Sequence, residues 1–318
     1  MKRDPVWPLV GGTVVLAALM LTGCGTALSV PVALELYAAN FTGSISVYAA
    51  GVNGNVAPLR TIMGAATGLN SPTFLGLDAA GNLYVANDAG HSITVYTRGA
   101  SGNAAPIRTI AGPAAGLSNP SGLAFDSAGN LYVANNGTET VTVYAPGASG
   151  NAAPIRTIAG ASTGLSAPIG IVVDGSGVLY VANDSVGVTV YAAGANGNAA
   201  PIRTIAGAAT GLTSPTGLAL DGAGNLYVTN RTQSSIVVHA AGASGNVAPI
   251  RTITGASTDL NNPIGLILDS SGALYVANQI GDSITVYAAG ANGNAAPIRA
   301  ISGAATDLAS PNGLALGR

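Results

Sequence analysis

One segment of 47 or 48 residues occurs six times in this chain of 318 residues. The tyrosine of its L-Y-[VA]-[AT]-N phrase recurs with that period, and so do an A-P-[IL]-R phrase and a P-x-[GF]-[LI] phrase. A fixed period in this range is typical of stacked supersecondary units, which bury their apolar faces against their neighbours. The repeats therefore constrain the architecture more strongly than any single motif does. The tyrosines are Tyr37, Tyr84, Tyr132, Tyr180, Tyr227 and Tyr275.

Each unit contains four short apolar runs separated by Gly, Asn, Asp and Pro. In the copy that begins at Pro215, the runs predict strand A at 216–220, strand B at 226–229, strand C at 235–240 and strand D at 249–253. Four-stranded units of 40 to 50 residues are typical of β-propeller blades, whereas a β-solenoid uses shorter coils. We therefore predict an all-β fold, a six-bladed β-propeller of four-stranded antiparallel blades.

The sixth unit is divided between the two ends of the repeat region. Strands B, C and D occur six times from Leu36 onward, but strand A occurs five times internally and once more at 311–316. We predict that this C-terminal strand joins the N-terminal blade and closes the ring. Closure would remove two open sheet edges that otherwise invite aggregation. The propeller is expected to cover residues 31–318 and to be monomeric.

The residues before the repeats have the features of a targeting segment. A basic start precedes an apolar run at 9–21, which is shorter than the roughly 20 residues of a membrane span and fits a signal peptide. The run ends in L-T-G-C, which resembles the bacterial lipobox, and Cys24 is the only cysteine of the chain. The resemblance implies a lipoprotein signal peptide at 1–23, a lipidated Cys24 and a tether at 24–30. It predicts a protein lipid-anchored to a bacterial membrane in the extracytoplasmic cell envelope; an incidental cysteine is the alternative.

The stretch S-P-T-G-L-A-L-D-G-A-G-N-L-Y-V-T-N at 214–230 resembles an NHL repeat, and the likeness covers all six units. It also resembles the shorter YVTN propeller repeats. The resemblance implies a propeller that binds a ligand or a protein. Two features depart from the NHL pattern: strand B ends in asparagine instead of aspartate, and the basic residues of RNA-binding members are missing. Lysine is absent after residue 24, and only 8% of residues are charged, which argues against a nucleic-acid partner.

Most repeated polar residues are expected to belong to the scaffold. Aspartates in D-x-x-G turns accept backbone N–H groups, and the asparagines that end strand B cap the next turn. The strand D arginines pack between blades, although a ring that binds anionic glycans or lipid headgroups is an alternative. His239 occupies a position that is tyrosine in the other copies, which makes it a packing residue rather than a catalytic base. The repeated aspartates are Asp78, Asp126, Asp174, Asp221 and Asp269.

The copies differ most in the loop between strands B and C. In a propeller this loop and the D–A loop share one face around the channel, so we expect any functional surface there. Ordinary variation of solvated loops is the alternative interpretation. The candidate residues are Asp88, His91, Glu139, Asp184, Arg231, Asp259, Gln279, Asp282 and Asp307.

The predicted function is a surface-anchored module that recognises a protein or a glycan through this face, without enzymatic activity and without a cofactor. The alternative is a calcium-dependent, lactonase-like hydrolase with its site at the channel mouth. Six-bladed propellers that resemble gluconolactonases hold a divalent cation with Glu, Asn and Asp ligands. Here Glu35 and Glu139 are the only glutamates, and neither lies on a strand A, which weakens that alternative. A structural envelope protein without a specific ligand is a third interpretation.

Overall fold

The computed structural model describes residues 34–317, which form six four-stranded antiparallel sheets. The predicted signal peptide, Cys24 and the tether lie outside the described residues, and the predicted domain bounds stay predictions. Within 34–317, no helix has the length and hydropathy that a membrane span needs. The prediction of a six-bladed propeller is confirmed. Short 3-10 helices occur at Ala65–Thr67, Pro113–Ala115, Asn136–Thr138, Ala208–Thr210 and Ala256–Thr258.

Each blade has its strands in the order A, B, C and D, with strand A innermost. The strands are β24 (Pro311–Gly317), β1 (Glu35–Asn40), β2 (Ser44–Ala49) and β3 (Arg60–Ile62) in blade 1; β4 (Pro72–Leu77), β5 (Leu83–Asn87), β6 (Ser92–Tyr96) and β7 (Arg108–Ile110) in blade 2; β8 (Pro120–Phe125), β9 (Leu131–Asn135), β10 (Thr140–Tyr144) and β11 (Arg156–Ile158) in blade 3; β12 (Pro168–Val173), β13 (Leu179–Asn183), β14 (Gly187–Tyr191) and β15 (Arg203–Ile205) in blade 4; β16 (Pro215–Leu220), β17 (Leu226–Asn230), β18 (Ser235–His239) and β19 (Arg251–Ile253) in blade 5; β20 (Pro263–Leu268), β21 (Leu274–Asn278), β22 (Ser283–Tyr287) and β23 (Arg299–Ser302) in blade 6.

The antiparallel order gives the propeller two distinct faces. The B–C and D–A loops lie at the end that we call the upper face, and the A–B and C–D loops lie at the opposite end, the lower face. Strand D is shorter than predicted, beginning at Arg251 rather than at Pro249 in blade 5, because proline has no N–H to donate to the ladder.

The pairing of strand A with strand B is interrupted by a bulge near the start of strand A, at the upper end of the channel. In blade 5 the pairing passes from Pro215↔Asn230 to Leu218↔Val228, so two residues on strand A bulge away from strand B. Neighbouring strands A approach closely there: a Cβ on Gly170 would lie 2.1 Å from the carbonyl oxygen of Thr216 in the next blade. Glycine fills this position in five blades, in each of which an added Cβ would lie within 2.5 Å of the main chain of the neighbouring strand A. In blade 2 the position is Phe74 instead.

The blades are held together at their outer edges by the C–D loops. Gly102 in blade 2 forms a parallel bridge with Ile62 on strand D of blade 1, and its N–H donates to Thr61 O at 2.7 Å. The adjacent Asn103 accepts the Ala66 N–H at 2.7 Å. Each loop therefore covers the strand edge of the preceding blade, which is otherwise a site for unwanted pairing.

The ring closes at three levels between the two ends of the chain. β24 pairs with β1 in register from Glu35↔Gly317 to Ala38↔Leu314. The Tyr48 hydroxyl of blade 1 donates to the Thr306 carbonyl. In the outer layer, Gly54 bridges Ile301 of blade 6. The prediction that the C-terminal strand joins the N-terminal blade is confirmed.

The hydrophobic core lies between the blades rather than at the centre of the ring. Each inter-blade cluster combines strand B and C side chains of one blade with strand A, B and C side chains of the next, as in the cluster that joins Val95 to Leu123 and Val133. A strand C tyrosine spans five of the six interfaces, and His239 takes its place in blade 5. Tyr144, for example, is fully buried and donates to Ala115 O at 2.6 Å. Burial raises the pKa of its phenol to about 12, so it stays a hydrogen-bond donor throughout the physiological range.

Candidate functional site at the upper channel mouth

The repeated aspartates, asparagines and arginines are confirmed as scaffold. Asp221 opens its turn by accepting the N–H groups of Ala223 and Asn225, both at 2.9 Å. Burial raises the pKa of Asp221, but these hydrogen bonds and one from the Asn225 side chain reverse the effect and hold the pKa below its usual value. The turn therefore keeps a charged carboxylate that is already saturated with donors, and no base is left free there.

The strand B asparagines and strand D arginines make their polar contacts within their own blades, and the arginines also lie beside the C–D loop of the next blade. Asn87 is fully buried, donates to the Thr94 hydroxyl at 3.0 Å and accepts the Asn70 N–H at 3.1 Å. Arg156 lies 5.5 Å from the centroid of the Tyr132 ring and donates to the Tyr132 hydroxyl at 2.7 Å. The asparagine amides are therefore occupied within the scaffold, and the arginines are held against tyrosine rings. In blade 1 the arginine instead forms an ion pair with Glu35 at 2.7 Å.

A cavity of about 250 Å³ opens at the upper mouth of the channel. Two tiers of variable side chains surround this mouth, and together with Phe74 we call them the mouth residues. The upper tier follows the strand B asparagine, and the lower tier follows the first proline of strand A, in the bulge where side chains point away from the ladder. The upper tier is Phe41, Asp88, Asn136, Asp184, Arg231 and Gln279, and the lower tier is Thr73, Ser121, Ile169, Thr216, Ile264 and Asn312. All of these except Asp184 line the cavity.

The mouth residues carry charge on opposite sides of the channel. Arg231 of blade 5 forms a half-buried ion pair with Asp184 of the neighbouring blade 4 at 3.1 Å. Asp88 belongs to blade 2, three blades away from blade 5 in a ring of six, so it lies across the channel from Arg231. Gln279 donates to Asn312 at 3.0 Å and joins the two tiers. A ligand in the cavity therefore meets a carboxylate on one side and a guanidinium on the other.

Hydroxyl groups of the lower tier connect one blade to the next. Ser121 donates to the carbonyl oxygens of Pro168 and Ile169, at 3.0 and 3.1 Å. Thr73 and Thr216 make the equivalent contacts with their own neighbours. These hydroxyls therefore act mainly as links between neighbouring strands A. Phe41 and Phe74 supply the apolar part of the wall.

Of the nine predicted face residues, Asp88, Arg231 and Gln279 line the cavity and Asp184 is paired with Arg231. The other five lie away from it. His91 and Asp282 accept backbone N–H groups of the next blade, from Asn119 at 3.0 Å and from Ser310 at 2.6 Å. These two side chains therefore tether blades.

Asp259, Asp307 and Glu139 also occupy structural or peripheral positions. Asp259 and Asp307 have φ values of 55° and 54°, at the position that is left-handed glycine in four other D–A loops. Glu139, with φ 54°, lines a separate surface cleft beside Gly160 and Leu165. The predicted residues that share the cavity therefore occupy only part of the upper face.

Sequence reasoning missed the lower tier of the mouth. The x of P-x-[GF] is Thr, Ser, Ile, Thr, Ile and Asn in six otherwise similar phrases. That variation inside an invariant frame was the available signal. It points to the channel only when the bulge at this position is known, because an unbroken ladder would direct alternate side chains into the blade interfaces.

The donor set does not fit calcium. Among residues 34–317, no group of three or more His, Cys, Asp and Glu side chains could hold a metal ion. The mouth offers one carboxylate without an ion-pair partner, Asp88, whereas calcium takes six to eight oxygen ligands. The guanidinium of Arg231 adds a positive charge to the same cavity.

The family model for "Lactonase, 7-bladed beta-propeller" matches residues 26–301. The chain belongs to this family. Its fold has six blades rather than the seven of the family's description. The expectation that the protein is not an enzyme is wrong, because the family is one of lactonases. The resemblances to NHL repeats and to a lipobox stay predictions.

Solved structures of the same fold have diverse functions. A nidogen/laminin complex matches with a TM-score of 0.64 at 16% identity, covering 90% of this chain and 98% of that one. A putative 6-phosphogluconolactonase from Bacteroides fragilis matches with 0.57 at 18% identity, covering 91% and 85%. A streptogramin B lyase matches with 0.57 at 12% identity, covering 88% and 91%. These identities establish the fold alone. No curated protein matches the sequence.

Proposed function

We propose that this protein hydrolyses a small cyclic ester at the upper channel mouth. The observation that carries the proposal is the pair of opposed charges in one cavity: Asp88 on one side of the channel and Arg231 on the other. Membership of the lactonase family supports the same reaction class. At about 250 Å³ the cavity lies below the usual 300 to 1,000 Å³ of ligand pockets, which favours a single small ring as the substrate.

Asp88 and Arg231 have complementary roles in this reaction. Asp88 takes a proton from a water molecule whose oxygen attacks the carbonyl carbon of the lactone. The guanidinium of Arg231 stabilises the negative charge that develops on the carbonyl oxygen. When the ring C–O bond breaks, the departing alkoxide takes the proton back from Asp88, and the product is an open-chain hydroxy acid. Asp184 orients Arg231 through their ion pair.

The amides of the mouth give the site its polar specificity. Asn136, Gln279 and Asn312 line the same cavity and present both donors and acceptors to ring oxygens or hydroxyl groups. Phe41 and Phe74 contact the apolar side of a ring. This wall favours a polyhydroxylated or otherwise polar lactone of sugar size over a long-chain one.

The test is to offer the protein a panel of five- and six-membered lactones. Hydrolysis is measured by the protons that the product acid releases. We expect Asp88→Asn to lower kcat/KM by at least about 100-fold, in line with the loss of a general base. Asp259→Asn is the matched control, because it removes an upper-face carboxylate outside the cavity and asparagine tolerates the left-handed backbone. No turnover of any lactone by the unaltered protein, or equal loss in both variants, would refute the proposal.

A second candidate is recognition of a protein or glycan by the upper face. The described part of this face carries six carboxylates against one arginine, a charge pattern that selects a basic or hydroxyl-rich partner. The nidogen/laminin structure supports the idea that this fold can serve binding. Glycan-array or pull-down binding that is lost in the Asp88→Ala, Asp184→Ala double variant, with an unchanged melting temperature, would favour this candidate. Binding that survives the double variant would exclude the mouth as the recognition site.

A further inference from the structure

The lower face has an outer rim of exposed aliphatic side chains. The residue before each strand D arginine is leucine or isoleucine, and all six are between 49% and 59% exposed. Six equivalent positions in a closed ring lie in one plane, so all six side chains can meet one flat surface together. We call this set the lower rim: Leu59, Ile107, Ile155, Ile202, Ile250 and Ile298.

The loops that lead to the lower rim are almost free of charge. The six C–D loops, of ten or eleven residues each, contain Ala, Gly, Pro, Asn, Ser, Thr and aliphatic residues and one charged residue, Arg98. This absence is specific to the C–D loops, because the upper loops contain most of the acidic residues outside the scaffold turns. Charged residues are normally common in solvated loops. Their near absence from six equivalent loops therefore indicates that the lower rim faces something other than water.

The centre of the lower face is apolar as well. A cavity of about 350 Å³ opens at the lower channel mouth, and its wall includes Leu123, Phe125, Val173, Leu220 and Leu268 from the ends of the strands A. Between this cavity and the rim lie the turn aspartates, whose carboxylates are occupied by backbone N–H groups. Seven arginines balance the five aspartates and Glu35: five are stacked on tyrosines, Arg60 pairs with Glu35, and Arg98 lies in a C–D loop.

The chain enters the propeller at this same face. Leu34 directly precedes β1, a strand B, and every strand B begins at the lower face. Cys24, the lipidation site that the lipobox resemblance implies, is ten residues earlier, and ten residues span at most about 35 Å. A lipid attached there would hold the point where the chain enters the lower face within that distance of the bilayer. The upper face, with six carboxylates against one arginine, is repelled by an anionic surface.

We propose that the lower face lies on a lipid bilayer, with the six side chains of the lower rim inserted at the interface and the upper channel mouth turned away. The occupant of this face is therefore the membrane that carries the anchor, rather than a protein partner. The proposal is independent of the reaction at the upper mouth. It predicts that rim side chains are in contact with acyl chains while upper-face side chains are not.

A tryptophan placed on each face tests this orientation. Trp7 is the only native tryptophan and lies in the predicted signal peptide, so the chain with Trp7→Phe has no native tryptophan emission whether or not that segment is removed. Ile155→Trp reports on the lower rim, and Val186→Trp, at a B–C loop residue that is 42% exposed, is the matched control on the upper face. Each protein is reconstituted into phosphatidylethanolamine–phosphatidylglycerol vesicles whose acyl chains carry bromine, a short-range quencher.

We expect bromine to reduce Ile155→Trp emission at least two-fold more than Val186→Trp emission. Equal quenching, quenching of neither, or stronger quenching of the upper-face reporter overturns the proposal. Light scattering of the same proteins in detergent measures their oligomeric state. It tests whether a second copy of the chain, rather than the membrane, covers the lower rim. A dimer that Ile155→Asp dissociates and Val186→Asp does not would assign the face to self-association and also overturn it.

Discussion

His239 occupies a slot that the other five blades fill with tyrosine, and the substitution His239→Tyr should stabilise the protein. Tyr191 is the equivalent residue in blade 4, where it is fully buried and donates to Thr163 O at 2.6 Å. His239 is also fully buried, but within residues 34–317 neither ring nitrogen makes a hydrogen bond. In blade 5 the Thr210 carbonyl is the equivalent of the Thr163 carbonyl. With histidine at position 239, no tyrosine hydroxyl is present to donate to it.

The expected magnitude follows from two contributions. A buried hydrogen bond contributes about 0.5 to 1.5 kcal/mol net, and relieving an unsatisfied buried polar group contributes about 1 to 3 kcal/mol. Since one ordered water can satisfy part of the imidazole, we expect a net gain of about 1 to 3 kcal/mol. For a chain of this size, that gain raises Tm by about 2 to 5 °C. The reciprocal change Tyr191→His should lower Tm by a similar amount.

The burial of His239 also predicts that the stability of the folded protein depends on pH. Burial lowers the pKa of the His239 imidazole, an effect that the nearby Thr210 carbonyl only partly opposes. The unfolded chain, with a histidine pKa of about 6.5, then binds more protons than the folded one at mildly acidic pH. Stability contributed by the neutral imidazole is therefore present above about pH 6.5 and is lost as the pH falls below it. The advantage of His239→Tyr should widen from pH 7 to pH 5.

Urea unfolding at pH 7 and pH 5 measures both effects, and His239→Phe separates packing from the hydroxyl. We expect the phenylalanine variant to remove the contribution of His239 to the pH dependence of the free energy of unfolding. It should gain less stability than the tyrosine variant, because it lacks the hydroxyl. If His239→Tyr is no more stable than the unaltered protein at pH 7, the buried position in blade 5 does not accommodate tyrosine as the other five blades do. If its advantage is constant with pH, His239 does not titrate as argued.

Two further predictions concern the ring. Deleting residues 310–318 removes β24 and exposes β1, so cooperative melting should be lost; an unchanged melting curve would contradict ring closure by this strand. Gly170→Ala places a Cβ 2.1 Å from the Thr216 carbonyl oxygen and should cost about 2 kcal/mol or more, whereas Gly175→Ala, with nothing within 4 Å, should be nearly neutral. Equal melting temperatures of the two glycine variants would show that the strands A can move apart.

The scaffold was predictable because identical copies meet identical environments. Aspartates in D-x-x-G turns and the tyrosine position of His239 follow from local turn chemistry and from alignment of the units, and the structure confirms both. Ring closure followed from counting strands. The C–D loop contacts were not predicted, since nothing in G-N indicates that Asn103 reaches the D–A loop that precedes its blade.

The candidate site was only partly predictable. Asp88, Arg231 and Gln279 came from variable loop positions, whereas His91 and Asp282, chosen for the same reason, hold blades together. The absence of an enzymatic role was inferred from missing glutamates and is contradicted by the family to which the chain belongs.

The sequence by itself determined the period, the four strands per unit and the division of the sixth unit, because these depend on residue order and local backbone preference. Only the tertiary structure decided which variable residues share the channel mouth, because that depends on how six blades close around an axis. The bulge on strand A turns Thr73 and Thr216 toward the channel, and closure sets Asp88 opposite Arg231, although 143 positions separate them along the chain.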